Sequence, residues 1–562
     1  MIRKVTIFFA GITFIALVIV QTNFAKHVKS QKGISASTLD QNGTLWAPFL
    51  EWTFENTSYN GNPFDLIASA KFVHQASGET RTTGMFYDGG STWKFRFSGT
   101  RTGEWQFTTS SADPDLNGHT GTVTINSNND PKITGFLTSY KNKFALQTGE
   151  NGDLRGYILQ VYWGAERFFF PNFAELPWDI RDYNDTSMIT KIINHILERG
   201  CNTLAFIVAN QWFKAGVDGY DQHNSENPDL QTFRAVETAI VTVHKLGARV
   251  HIWKWRDQQR KGTPVGVGGI NGIPDKRLQR YIAARLGPLP GWTMAYGFDL
   301  EEWTNESDLR KWAEFMHQNM GWPHLLMARN FSNSTLNVVS NDNRPGANYY
   351  DDAVQTLDTD PERPHLYERR FLYTRDRWNM ENTLQAFWEF AMAGGAGSSW
   401  GIYYWTGSMP DYSNPEQLRT HAQFWQNRLL LDMQRANNLT DGYCLKNPAN
   451  TDFIFFKEST SSIRMNLNNL SGTQSVVAID TKKAYSEVDL GQQSARDWTW
   501  TAPYRSDWAI AVGLFESSGI HPGIDAIPPV PPTGLQITPK TETGNNLIES
   551  NINPLRKSRR KK

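Results

Sequence analysis

Cysteine is nearly absent: the chain has two in 562 residues, Cys201 and Cys444. That count excludes a disulfide framework, neither residue belongs to a Cys-x-x-Cys pair, and both read as small buried hydrophobes. The 12 histidines form no His-x-x-x-His pair, so neither a metal nor a cofactor is implied. Net charge is also lacking, because 56 Lys and Arg balance 56 acids. This argues against nucleic acid as a partner, since that affinity rests on an excess of cations. No Gly-x-Gly-x-x-Gly follows a strand-like run, and Gly266-Val267-Gly268-Gly269 sits in a loop, so a doubly wound nucleotide-binding sheet lacks its fingerprint. The longest apolar run near the start, Val5 to Val20, has 16 residues and follows Met1-Ile2-Arg3-Lys4. It is short for a spanning helix and reads as an export signal ending near Asn23-Phe24-Ala25, with membrane anchoring through residues 5–20 as the alternative. The expected location is outside the cell or in its envelope.

What is abundant is aromatic: 21 Trp, 19 Tyr and 32 Phe. Such rings pack against the C–H faces of sugars and also build cores, so they do not choose a function alone. The pattern along the chain divides it. Residues 1–25 are the signal or anchor and 26–43 a polar linker. Residues 44–130 alternate apolar and polar in short runs, as in Trp93-Lys94-Phe95-Arg96-Phe97, and predict a β-sandwich. Residues 136–435 alternate strand-like runs with amphipathic helices and predict a (β/α)8 barrel. Residues 440–515 return to alternation and predict a second β-sandwich. Residues 520–562 are a Pro-rich linker and a basic tail. The expected fold is therefore multidomain, a central barrel between an N-terminal and a C-terminal β-sandwich.

Two segments carry the chemistry: Gly297-Phe298-Asp299-Leu300-Glu301-Glu302-Trp303 and His365-Leu366-Tyr367-Glu368-Arg369-Arg370-Phe371. Each reads as a buried strand that stops at carboxylates. Cleaving a glycosidic bond needs one protonated carboxyl for the leaving oxygen and one ionised carboxylate as nucleophile or base. Read in isolation, such acids are more often structural, paired here with arginines such as Arg369 and Arg370.

The whole chain also resembles known proteins. Trp52, Asn62-Pro63-Phe64, Gly84-Met85-Phe86-Tyr87-Asp88-Gly89, Gly103-Glu104-Trp105 and Leu116-Asn117-Gly118-His119-Thr120-Gly121 look like an immunoglobulin-like domain of unknown function that precedes secreted glycoside hydrolase barrels. The barrel region is similar to clan A and apiosidase-like glycoside hydrolases, with Glu302 at the fourth strand, Glu368 at the seventh, and Phe390 to Gly401 matching the Gly-rich turn into the eighth. The unit closing at Trp508-Ala509-Ile510-Ala511-Val512 is similar to a collagen-binding-type β-sandwich. The resemblance implies an exported glycosidase acting on a polysaccharide or oligosaccharide with Glu302 as acid/base, Glu368 as nucleophile and retention of configuration. Glu301 stands where the family has Asn, so it is the alternative acid. Strand alternation lets only one of Glu301 and Glu302 face the barrel mouth. Asn210, Trp212, His251, Trp253, Arg329 and Trp405 follow or end strands and are candidate sugar contacts, with Tyr349-Tyr350-Asp351-Asp352 ending the sixth. A non-catalytic carbohydrate-binding protein on the same barrel is the alternative reading. A polysaccharide lyase would need a Tyr, His or Lys base, and none stands out.

Overall fold

The computed structural model describes residues 39–149, 153–163, 185–213, 225–257, 263–341, 348–372, 380–401 and 415–515. Residues 5–20 and 520–562 lie outside them. No described helix is long and apolar enough to cross a membrane.

The centre is one sheet of eight parallel strands: β1 Leu159–Trp163, β2 Thr203–Ile207, β3 Arg249–Trp253, β4 Trp292–Ala295, β5 Leu326–Met327, β6 Val339–Asn341, β7 His365–Leu372 and β8 Gly397–Gly401. Their order is β5-β4-β3-β2-β1-β8-β7-β6. The sheet is nearly closed. Its two edges meet where the Asn330 N–H donates to the Ser340 carbonyl at 2.9 Å and the Asn337 N–H to that of Leu326 at 2.9 Å.

Seven described helices follow: α1 Ser187–Glu198, α2 Leu230–Lys245, α3 Ile273–Leu286, α4 Glu306–Asn319, α5 Tyr349–Asp358, α6 Met380–Met392 and α7 Pro415–Trp425. In α2 the buried residues Phe233, Val236, Ile240 and Val243 recur at helical spacing, and Asp229 caps the start by accepting from the Thr232 N–H at 2.7 Å. Only a loop joins β5 to β6. Tyr349-Tyr350-Asp351-Asp352, expected at a strand end, instead form the first turn of α5, capped by Asn348. The capping Asn and the first-turn acids suit a helix N-terminus and explain the difference.

Strand phase follows from contacts. Gln160 reaches out to His421 of α7, at 2.7 Å, so Leu159 and Val161 face inward. The register carries that phase across Ala205, His251 and Thr293, and one layer higher across Ile207, Trp253, Ala295 and Met327. The floor was not anticipated from sequence. A three-stranded sheet of Leu137–Tyr140, Lys143–Thr148 and Asp153–Gly156 plugs the barrel, with Leu137, Phe144 and Leu146 joining Leu159, Val161 and Leu366 in one apolar cluster. Gly397 is required here, because a Cβ would lie 2.5 Å from the Phe144 ring and 2.8 Å from the His365 carbonyl oxygen.

Before the barrel, a five-stranded and a three-stranded sheet share one aromatic core, with Phe72 stacked on Phe97 at 4.1 Å and Trp52 edge-on to Phe107 at 5.1 Å. After it, six strands form one antiparallel sheet whose long members, Phe453–Asn466 and Asp497–Val512, shift register between Lys457 and Ser462. This sheet docks on the barrel helices through Phe456 stacked on Trp388 and Tyr443 stacked on Tyr350. Cys201 and Cys444 are free and buried, as their context predicted.

Three buried histidines set an acid limit on stability. Burial pushes His244 and His324 down to about 4 and His421 to about 3. Unfolded, each would take a proton near 6.5, so stability is complete above that value and falls as pH drops toward 4. Each contributes about 1.4 kcal/mol per pH unit crossed. His324→Gln is expected to flatten the acid side of a Tm-against-pH profile, because an amide does not charge.

Candidate active site

In parallel barrels, chemistry sits at the C-terminal ends of the strands. There β4 stops at Ala295, two residues before the Gly297–Trp303 segment expected to form its end. Asp299 takes a left-handed conformation, φ 45°, and Leu300–Glu302 closes a 3-10 turn, with the Glu302 N–H donating to the Asp299 carbonyl at 3.0 Å. Asp tolerates that conformation better than most residues. The apolar members explain the turn. Phe298, Leu300 and Trp303 are buried, and the Trp303 indole N–H donates to the Phe298 carbonyl at 2.9 Å. Asp299, Glu301 and Glu302 are left exposed above the barrel. This corrects the strand-alternation argument: on a 3-10 turn consecutive residues point about 120° apart rather than to opposite faces.

The two glutamates differ in their surroundings. Asn330, which follows β5 and is itself left-handed at φ 60°, donates from its side-chain amide to Glu301 Oε1 at 2.8 Å. Beneath them lies a stack that runs from the interior to the rim. His251 donates to or accepts from the Thr293 hydroxyl at 2.8 Å and meets Trp253 edge-on at 4.4 Å. Trp253 stacks on Phe298 at 5.1 Å, and the Arg329 guanidinium covers Phe298 at 4.8 Å. Such a cation–π contact orients the guanidinium.

The tertiary structure thus gathers Glu301, Glu302, His251, Trp253 and Arg329 at neighbouring strands β3, β4 and β5. Asn210 is buried in the 3-10 turn Ala209–Phe213 after β2. Trp212 is a correction. Its ring packs on Phe233 of α2 at 4.9 Å and its N–H donates to the Lys254 carbonyl at 2.9 Å, so it belongs to the layer between barrel and helices. Phe233 of α2 covers its apolar face and the Lys254 carbonyl satisfies its donor, which leaves no face for a sugar. Glu368 lies in β7, after the buried Leu366 and Tyr367, the latter edge-on to Phe390 of α6 at 4.6 Å. The Glu368 side chain and all of Trp405 lie outside the described residues. No group of three His, Cys, Asp or Glu among the described residues could hold a metal.

Sequence reasoning passed over a second pair of acids, Glu389 of α6 and Glu458 of the C-terminal sheet. The available signal was a glutamate inside Leu384-Gln385-Ala386-Phe387-Trp388-Glu389-Phe390-Ala391, an apolar run in which a charge is costly.

Residues 44–112 match the model of a domain of unknown function, DUF5060. No curated protein matches the chain. Among solved structures, a protein from Bacteroides vulgatus provisionally assigned as a glycoside hydrolase is similar over 84% of this chain and 99% of its own, at 15% identity and a TM-score of 0.62. The chain has a glycoside-hydrolase-like fold. A family 5 glycoside hydrolase from the same organism aligns over 69% of this chain and 95% of its own, at 11% identity and a TM-score of 0.51.

Proposed function

We propose that the protein is an exported glycoside hydrolase that cleaves glycosidic bonds in a polysaccharide or oligosaccharide with two glutamates and no cofactor. The observation that carries this reading is the set of exposed carboxylates on the turn after β4 of a glycoside-hydrolase-like barrel, with a further glutamate on β7. Glu302 is assigned as acid/base and Glu368 as nucleophile. Glu301, engaged by Asn330, is the alternative acid. Carboxyl groups about 5 Å apart cleave with retention, which is the stereochemistry proposed. Asn210 and Arg329 serve as hydrogen-bonding partners for sugar hydroxyls, His251 and Trp253 as the floor beneath them, and Trp405 as a ring platform. Residues 1–25 direct export, and the flanking immunoglobulin-like and collagen-binding-type units brace the barrel.

The test is a broad polysaccharide panel. Wild-type protein is expected to release reducing sugar, with the anomeric configuration retained by NMR, and Glu368→Gln to release none above background. Hydrolysis by Glu368→Gln at the wild-type rate rejects the assignment. Glycan binding by wild type with no product from any substrate supports a binding protein instead.

A further inference from the structure

The C-terminal sheet meets α6 through two acids that the proposed chemistry does not use. Glu389 is 3% exposed within its apolar helix run. Gln385, one turn earlier, donates from its single amide nitrogen to Glu389 Oε1 and to Glu458 Oε2, each at 3.0 Å. The shared Gln385 nitrogen brings the two carboxyls together, so that each bears on the other's charge. Glu458 Oε1 is shut off from solvent with no N–H or hydroxyl donor among the described residues. Two ionised carboxylates on one amide, in a joint closed to solvent, repel, and a proton shared between them removes that repulsion.

We propose that Glu389 and Glu458 form a proton-sharing latch that fastens the C-terminal sheet to the barrel and releases as the medium becomes alkaline. The groups facing the pair make it an acidic setting. Asp351 and Tyr349 come from α5, and Tyr443 and Asp507 from the C-terminal sheet, with Lys482 the nearby cation. Lys482 is itself drawn to Asp507 at 3.1 Å and to Glu381 at 3.3 Å. Burial first, then the negative charge of Glu389 and Asp507, pushes Glu458 up to about 8. Glu389 is also raised, chiefly by burial, so the pair titrates as a unit. When the shared proton leaves for solvent, the hydrogen bond is lost and two carboxylates repel inside the joint. The unfolded chain gives up its Glu458 proton near 4.5, so this contribution is fully present below that value, declines as pH rises, and is gone above about 8. The latch itself does not depend on the hydrolase reading.

The experiment is the Tm of the full chain against pH, from about 6 to about 9, in wild type and Glu458→Gln. Glutamine donates an N–H to Glu389 at every pH, as the protonated acid does only at low pH. The variant is expected to gain on wild type from pH 6 to about 8 and to hold that gain at the alkaline end. Glu381→Gln, an acid outside the pair, is expected to follow wild type. A parallel course for wild type and Glu458→Gln overturns the proposal. Should Glu458→Gln fail to fold, the wild type decides alone through its infrared spectrum. A protonated-carboxyl carbonyl stretch present near neutrality and gone at about pH 9.5 supports the latch, and its absence near neutrality overturns it.

Discussion

Glu302→Gln is expected to lower kcat on an unactivated glycan by about 10²–10⁴-fold, the range that a positioned general acid supplies. The loss should depend on the leaving group. A phenolate bearing electron-withdrawing groups departs with little protonation, so an activated aryl glycoside of the right sugar should retain most of its glycosylation rate. Glu301→Gln should behave differently. Its partner Asn330 holds it across the gap between the β4 and β5 turns. A smaller loss is expected, the same on activated and unactivated substrates, because Glu301 is not the group that protonates the leaving oxygen. Measuring both variants on activated and unactivated substrates separates the roles. The assignment of Glu302 fails if Glu301→Gln shows the leaving-group dependence and Glu302→Gln does not.

Removing Glu237 should have the largest effect on stability. The joint between the first β-domain and the barrel is a chain of alternating charges. Arg96, on the strand Thr92–Phe97, pairs with Glu51 at 2.7 Å and with Glu237 of α2 at 2.5 Å. Arg285 of α3 pairs with Glu237 at 2.8 Å and with Asp88 at 2.9 Å, and Lys94 spans Glu51 and Asp88 at 2.9 and 3.0 Å. Both arginine side chains are 2% exposed, and both lie over the Phe86 ring. Burial pushes Glu237 up, but Arg96 and Arg285 outweigh it and hold its carboxyl below the ordinary range. Glu237→Leu leaves two buried guanidiniums short of a partner, and the expected cost is about 3–5 kcal/mol. Because Glu237 is favoured ionised in the fold, its contribution is present above its unfolded value and fades as pH falls through the folded one. In urea unfolding, the difference between wild type and variant should therefore shrink in acid. A difference below about 1 kcal/mol at neutral pH would mean the network adds little beyond its apolar surroundings.

Much of the barrel was legible because burial dictates composition. β3 runs Arg249–Trp253 as its apolar run indicates, and α2 and α4 follow the spacing of their buried residues to within a few positions. Two short elements were not legible. β6 has three residues, too few for a period, and the floor strands Leu137–Tyr140 and Lys143–Thr148 look like any exposed hairpin until Phe144 is seen beneath Gly397. The same limit governs the site. Local pattern marked the acids after β4 and in β7 as candidates but favoured a structural role for them, and the family resemblance gave them their catalytic weight. It could not foresee that Asp299 turns the chain left-handed, because that choice depends on Phe298, Leu300 and Trp303 finding partners in the barrel top. Nor could it separate Glu301 from Glu302, which share one local context and differ through Asn330, 29 positions away in sequence from Glu301. By itself the sequence determined which residues are apolar, hence the strands, helices and candidate acids. The tertiary structure alone decided which polar atoms meet across distant segments: Asn330 with Glu301, Arg96 and Arg285 with Glu237, and Glu389 with Glu458. The reason is physical. Burial is a property of each side chain, whereas a hydrogen bond or a shared proton exists only between atoms that the completed fold brings within about 3 Å.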